Sequence, residues 1–238
     1  MDRPHGENIR LMFDRISPHY DLLNRCLSGF TDLRWRRRAL ALVGDLSGQT
    51  ALDLCCGTGD FLILMTKKYG DAVQPIGLDF SRPMLDLAAA RLRRTGRRES
   101  LLLQADALAI PLTDASCSAV TIGFGIRNIM DKETALREIV RVLAPGGRLA
   151  IIEPAVPKNR LAALLFTFYF RRVMPLLGGL ISRDYVAYRY LHDSVKTFPK
   201  PDEFCSLMRQ AGFIGVKAHS QTFGTAMIYY GQRKETRI

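Results

Sequence analysis

The sequence predicts an α/β fold of the Rossmann-like type, a mostly parallel sheet with helices on both faces. Three observations lead there. From residue 50 onward, short apolar runs alternate with amphipathic stretches in a β-α-β-α rhythm. A glycine turn, Gly57-Thr58-Gly59, directly follows the first apolar run. Aspartates then recur just past successive runs, where ligands of parallel sheets bind.

Taken in order, Thr50 to Cys55 reads as a compact apolar strand, with a helix from about Gly59 to Tyr69. Val73 to Leu78 is the second strand, ending at Asp79. Ser81 is placed to cap the next helix, with Pro83 in its first turn and Met84, Leu85, Leu87 and Ala88 spaced for a buried face. Leu101 to Leu103 and Cys117 to Ile122 supply the third and fourth strands. A helix spans about Lys132 to Leu143, Pro145-Gly146-Gly147 stops it, and Arg148 to Ile152 returns as the fifth strand. Crossovers of this kind require a parallel sheet covered on both sides.

The 238 residues suit one domain spanning 1–238. With 47% hydrophobic and 24% charged residues, a sizeable core is expected and wholesale disorder is not. Five cysteines (Cys26, Cys55, Cys56, Cys117 and Cys205) show no C-x-x-C spacing, so no metal site is expected. Met1 to Arg10 lacks the apolar core of a signal peptide, and the apolar stretch Leu161 to Phe170 is too short to span a bilayer. A cytoplasmic protein follows. The net charge of +11 gathers in Arg34-Trp35-Arg36-Arg37-Arg38, in Arg91 to Arg98, and at Arg171 and Arg172. Such clusters attract nucleic acid or anionic membrane, and for either cluster alone a solvated helix face is the plainer reading.

The glycine turn decides between ligands. A dinucleotide site would carry a third small residue where this chain has Leu62. Asp53 and Asp60 flank the turn, poor company for a pyrophosphate. They suit a ligand with an ammonium and a sulfonium, which is S-adenosylmethionine. Asp79, about twenty residues on, is placed to accept from both ribose hydroxyls, and Asp106-Ala107 to meet an adenine edge. Any one of these aspartates could equally be a cap or turn residue.

Beyond these shared features lie more specific blocks: MFDRISPHYDLLNRCLSG at 12–29, FGIRN at 124–128, REIVRVLAPGGRLAIIEP at 137–154 and YRYLHDSVKTFP at 188–199. With LDLCCGTGD and GLDFSRPML, they resemble the UbiE/MenG quinone C-methyltransferases from about residue 8 to 233. The resemblance implies the seven-stranded class I S-adenosylmethionine-dependent methyltransferase fold. It implies helices within about 8–45 and the segment 155–200 on the substrate side. It implies methyl transfer to a ring carbon of a polyprenyl quinol, demethylmenaquinol first and the methoxybenzoquinol precursor of ubiquinone as the alternative. The family's cofactor contacts carry over to Thr58, Asp79, Phe80 and Asp106-Ala107, with Asp53, Gly57 and Gly59 of the loop. A contact that is often serine in relatives falls on Gly123. The chain also departs from the family pattern at Ser28-Gly29 and Glu153-Pro154.

Methylating a ring carbon calls for a phenolate, whose parent phenol has a pKa near 10 by analogy with tyrosine. Arg127 stays protonated, so it is read as stabilising that anion, with Asn128 beside it. A surface salt bridge is the plainer role for Arg127. Tyr20 and Asp21 are candidates to orient the substrate or take a proton, and His19 and His192 titrate near neutrality. Leu161 to Leu180 suits a tail-sheltering or interfacial helix, or one packed on the core. The chain lacks an N-P-P-Y-like tetrad and a Pro-Cys pair for base methylation, so no nucleic-acid partner is expected. An RNA or soluble small-molecule methyltransferase and a non-catalytic S-adenosylmethionine-binding protein are the rivals. Transient contact with the inner face of an anionic membrane fits the charge, and a homo-oligomer is compatible with the sequence.

Overall fold

The computed structural model describes residues 5–96, 100–169, 190 and 193–235. Among them, seven strands form one sheet: β1 (Gln49–Leu54), β2 (Val73–Asp79), β3 (Leu101–Gln104), β4 (Cys117–Gly123), β5 (Leu143–Pro154), β6 (Phe213–Gln221) and β7 (Ala226–Arg233), in the order β3-β2-β1-β4-β5-β7-β6. Strands β1 to β5 are parallel, and β7 runs antiparallel between β5 and β6. The α-helices among the described residues are α1 (His5–Ile16), α2 (Tyr20–Leu27), α3 (Asp32–Leu42), α4 (Asp60–Tyr69), α5 (Arg82–Arg93), α6 (Lys132–Val142), α7 (Arg160–Phe168) and α8 (Pro201–Gln210).

Alternation along the strands sets the two faces. Ala51, Ala119 and Ala150 point to one side, where their small size admits Trp35 and Leu40 of α3 and Phe61 and Met65 of α4. Leu52, Val120 and Ile151 point to the other, against Leu136 and Ile139 of α6 and Phe204 and Met208 of α8. The apolar runs without alternation are thus strands buried on both faces. The Ser81 hydroxyl caps α5 by accepting from the Met84 N–H at 3.4 Å. It also donates to Asp14 Oδ1 at 2.5 Å, which ties α1 to the end of β2.

Two sequence expectations change. Pro145-Gly146-Gly147 ends α6, but β5 already starts at Leu143: Cys117 pairs with Leu143 and Ala119 with Arg148, so the tripeptide forms a bulge within the strand. Gly146 takes φ 75°, which glycine supplies without strain. The 34–38 cluster is not one solvated face, because Trp35 and Arg36 are buried while Arg34, Arg37 and Arg38 are exposed. Strands β6 and β7 were not read from the residues, although the resemblance implied seven strands; β6 is an edge strand with only its two end residues buried.

α7 exposes Leu161, Leu164 and Phe168. The rest of the apolar segment to Leu180, with Arg171, Arg172 and His192, lies outside the described residues, as do the side chains of His19 and Cys26. No helix among the described residues is long and apolar enough to cross a membrane.

Candidate active site

A cavity of about 470 Å³ opens beyond the carboxyl ends of β1 to β4, where the strand order reverses between β1 and β4. Its strand-end wall includes Gly57, Asp79, Asp106 and Gly123, and its roof includes Ile9, Phe13 and Tyr20. The roof is packed in place: Phe13 meets the rings of Tyr20 and Phe80 edge-on, at 5.9 and 6.2 Å between centroids.

Asp79 is buried, and both its oxygens are held by backbone. Gly57 N–H donates to Oδ2 at 2.8 Å and Ser81 N–H to Oδ1 at 3.0 Å. Burial pushes its carboxyl up to about 6, against the pull of those N–H groups. Phe80 and Ala107 also line the cavity, and exposed Asp106 accepts the Leu108 N–H at 2.9 Å.

Gly123 lines the cavity at a spot where Arg36 fills the space that a side chain would need. The Arg36 guanidinium lies 5.1 Å from the Phe61 ring centroid and 5.2 Å from that of Phe124. It also approaches Asp60 at 3.3 Å. A Cβ at Gly123 would meet a buried cation held between two rings and beside Asp60. Gly123→Ser is therefore expected to destabilise the protein by about 1–3 kcal/mol, read as a fall in Tm. An unchanged Tm would show that Arg36 is free to move.

The residues that flank the glycine turn point elsewhere. Asp60 is ringed by Arg25 at 2.9 Å, Arg91 at 2.8 Å and Arg36. Burial alone would raise its pKa, but these cations outweigh burial and hold it well below the usual range. Its charge is already balanced, so it does not draw a cationic ligand as the sequence reading expected. Thr58 donates to Asp21 Oδ1 at 2.5 Å, while Arg91 binds the Thr58 carbonyl and hydroxyl at 2.9 and 2.8 Å and Asp21 at 2.9 Å. Thr58 and Asp21 thus clasp α2 to the glycine turn, outside the cavity lining. Gly59, with φ 83°, caps α4 against Ala88, also outside the lining. Asp53 is buried behind the turn, where Thr121 donates to it at 2.9 Å and burial lifts it to about 7.

At the other end, Asn128 and Tyr20 reach the cavity and Arg127 stands directly behind them. The Arg127 side chain is only 5% exposed and pairs with Glu153, itself fully buried, at 2.9 Å. Glu153 also accepts the Arg127 N–H at 3.2 Å. Burial works against the guanidinium charge, yet Glu153 prevails and raises the Arg127 pKa. The Phe124 carbonyl accepts from Arg127 Nη1 and from Asn128 Nδ2. Phe124 can aim it there because its φ of 64° is left-handed, a strained state for a phenylalanine. Tyr190 donates to Asn128 Oδ1 at 3.0 Å. Burial raises the Tyr20 phenol, against Arg127, so it stays a neutral donor.

Glu153 and Tyr190 thus hold Arg127 and Asn128 from outside the cavity lining, and sequence reasoning quoted both within blocks but gave them no role. A lone carboxylate at the end of an apolar strand was the available signal for Glu153.

The chain matches the ubiE/COQ5 methyltransferase family over residues 2–233. It is 48% identical over 222 residues to the demethylmenaquinone methyltransferase of Thermus thermophilus, covering 93% of this chain and 100% of that one. It is 42% identical over 229 residues to the ubiquinone/menaquinone biosynthesis C-methyltransferase UbiE of Geobacter sulfurreducens, covering 96% and 89%. Among solved structures, its fold is similar to a SAM-dependent methyltransferase from Thermotoga maritima, at 21% identity and TM-score 0.64, covering 93% and 98%. It is as similar to the [4+2]-cyclase SpnF, at 17% identity and TM-score 0.66, covering 99% of each. A fold shared by such different reactions does not choose between them. The sequence match does, because it runs through both terminal blocks and the segments that build the cavity: the chain belongs to the ubiE/COQ5 methyltransferase family.

Proposed function

We propose that this enzyme C-methylates a polyprenyl quinol with S-adenosylmethionine, and that demethylmenaquinol is the acceptor. The carrying observation is the cavity's two ends. One has a buried acidic residue, Asp79, beside a glycine turn; the other has Asn128 and Tyr20 backed by the buried Arg127–Glu153 pair.

The residues fit the cofactor. Asp79 keeps lone pairs for hydroxyl donors after binding two N–H groups, and Gly57 leaves the wall open beside it. Asp79, Gly57, Phe80, Asp106 and Ala107 would hold it, and its sulfonium supplies the methyl group. The chain's own residues do the rest. Arg127 is paired with Glu153, yet its guanidinium is the pole of the pair felt most at Tyr20 and Tyr190, which favours the quinol's anion and so a carbon nucleophile. The phenol proton, and after methyl transfer the ring proton, leave to solvent. Tyr20, kept protonated, donates to that oxygen. Tyr190 orients Asn128, and Phe13 and Phe80 keep water from the reacting atoms. Positioning is the largest expected contribution.

The names of the similar Thermus thermophilus and Anoxybacillus flavithermus proteins support a menaquinone acceptor. The dual name of the Geobacter relative supports the ubiquinone precursor as a second reading. The polyprenyl tail would bring the enzyme to the inner face of the cell membrane from the cytoplasm. Incubation with S-adenosylmethionine and demethylmenaquinol, the methoxybenzoquinol precursor or RNA, followed by product mass spectrometry, tests the proposal. A methylated naphthoquinol is expected. Methylated RNA with untouched quinols would overturn it, and so would no product at all.

A further inference from the structure

We infer that the turn between β6 and β7, with the exposed side of α3, is the surface by which this protein docks on an anionic phospholipid bilayer. Phe223 stands in that turn 89% exposed, at φ 55°. A large aromatic held in water, in a conformation that favours glycine, is unfavourable on both counts.

The turn is braced. Trp35 Nε1 donates to Thr222 Oγ1 at 2.9 Å, Arg38 Nη1 to Gln221 Oε1 at 2.6 Å, and Thr225 Oγ1 to the Thr222 carbonyl at 2.9 Å. Pro157 lies 3.3 Å from where a Cβ on Gly224 would sit. The ring is thus presented at the meeting point of α3, the β6–β7 turn and the segment 155–160.

The charge around it has one sign. Arg34, one helical turn before Arg38, is exposed, as are Arg37 and Lys158. Val156, 50% exposed, adds apolar surface. Within residues 30–38, 155–160 and 219–225 the only acidic residue is Asp32. It is buried and paired with Arg25 and Arg36, so it subtracts nothing from the outer field. An apolar tip ringed by cations suits the headgroup and acyl boundary of an anionic leaflet. This also accounts for the arginine cluster that the catalytic site leaves unused. The choice of a bilayer over a protein partner rests on the proposed polyprenyl acceptor, which resides there.

The full chain is sedimented with vesicles of phosphatidylglycerol and phosphatidylcholine, and with phosphatidylcholine alone, across a salt series. Binding is expected only to the anionic vesicles, and it should fall as salt rises. Phe223→Gly relieves the strained φ, so its Tm should equal or exceed that of the wild type while vesicle affinity drops about tenfold. Arg34→Gln and Arg37→Gln should each lower affinity about fivefold. Turnover of a tail-less quinol in solution tests the acceptor reading separately, and these three variants should leave it unchanged. Wild-type vesicle affinity in Phe223→Gly would overturn the inference. So would equal binding to neutral vesicles, or a dimer in light scattering that Phe223→Gly dissociates, which would assign the face to a second copy of the chain.

Discussion

Arg127→Ala is expected to lower turnover by a factor on the order of 10² while S-adenosylmethionine binding is unchanged. The asymmetry follows from position. Arg127 sits behind Asn128 and Tyr20, at the end of β4, whereas Asp79 and Gly57 stand at the ends of β2 and β1. Although Glu153 partners it, the guanidinium is the pole felt most at Tyr20 and Tyr190, and a poorly solvated wall screens it less than water would. Without it the acceptor phenol returns toward its ordinary pKa. Activity should then climb with pH into the alkaline range, a signature that a purely structural defect would not produce.

The substitution also strands Glu153, a fully buried carboxylate, at a cost of about 3–5 kcal/mol. The double variant Arg127→Ala with Glu153→Gln removes that stranded charge. It should recover most of the lost Tm and none of the lost turnover. Calorimetry decides the assignment: cofactor binding lost in parallel with activity, in a variant that is still folded, would place Arg127 in the cofactor half instead.

Glu153 shows where sequence reading stops. The sequence pattern reveals strands and their ends, so the five parallel strands, the Ser81 cap and the cavity-lining set Gly57, Asp79, Phe80, Asp106, Ala107 and Gly123 were legible as positions. Which way a side chain turns from those positions is decided by partners distant in the chain. Thr58 lies in the widely shared glycine-turn block and Asp21 in a diagnostic one, yet Arg91, 33 residues from Thr58, turns them into a clasp. Asp60 looked like an electrostatic lure until Arg25, Arg36 and Arg91 converged on it from three helices. Glu153 was seen only as the neighbour of Pro154, where the chain departs from the family pattern, because its partner is on the loop after a different strand. β6 escaped for a simpler reason: an edge strand is wetted on several sides and carries no continuous apolar run.

Asp79→Asn should do the opposite of Arg127→Ala, costing on the order of 10²-fold in S-adenosylmethionine affinity with little change in Tm. Two consequences of burial nearly cancel in the unliganded protein. Its folded pKa of about 6 lies above the ordinary carboxylate value, so this group's stabilisation is complete below about pH 4 and lost as pH rises through 6. At neutral pH the buried charge thus weighs on the fold by something on the order of 3 kcal/mol. Asparagine removes that burden, but its amide can accept from only one side. One of the Gly57 and Ser81 N–H donors is then orphaned, at about 1–3 kcal/mol. The ligand sees only the loss, since a charged acceptor for its hydroxyls is gone. The same reasoning fixes the pH dependence. Hydroxyl donors favour the ionised carboxylate, so wild-type affinity should hold above about pH 6 and fall about tenfold per pH unit well below it. In Asp79→Asn that fall should vanish. Asp53, lifted to about 7 but outside the cavity lining, remains in the variant, so any residual inflection near 7 belongs to it. Isothermal titration across this pH range reads both effects. A variant that binds like the wild type, or a wild type with flat affinity through pH 5, would remove Asp79 from the cofactor site.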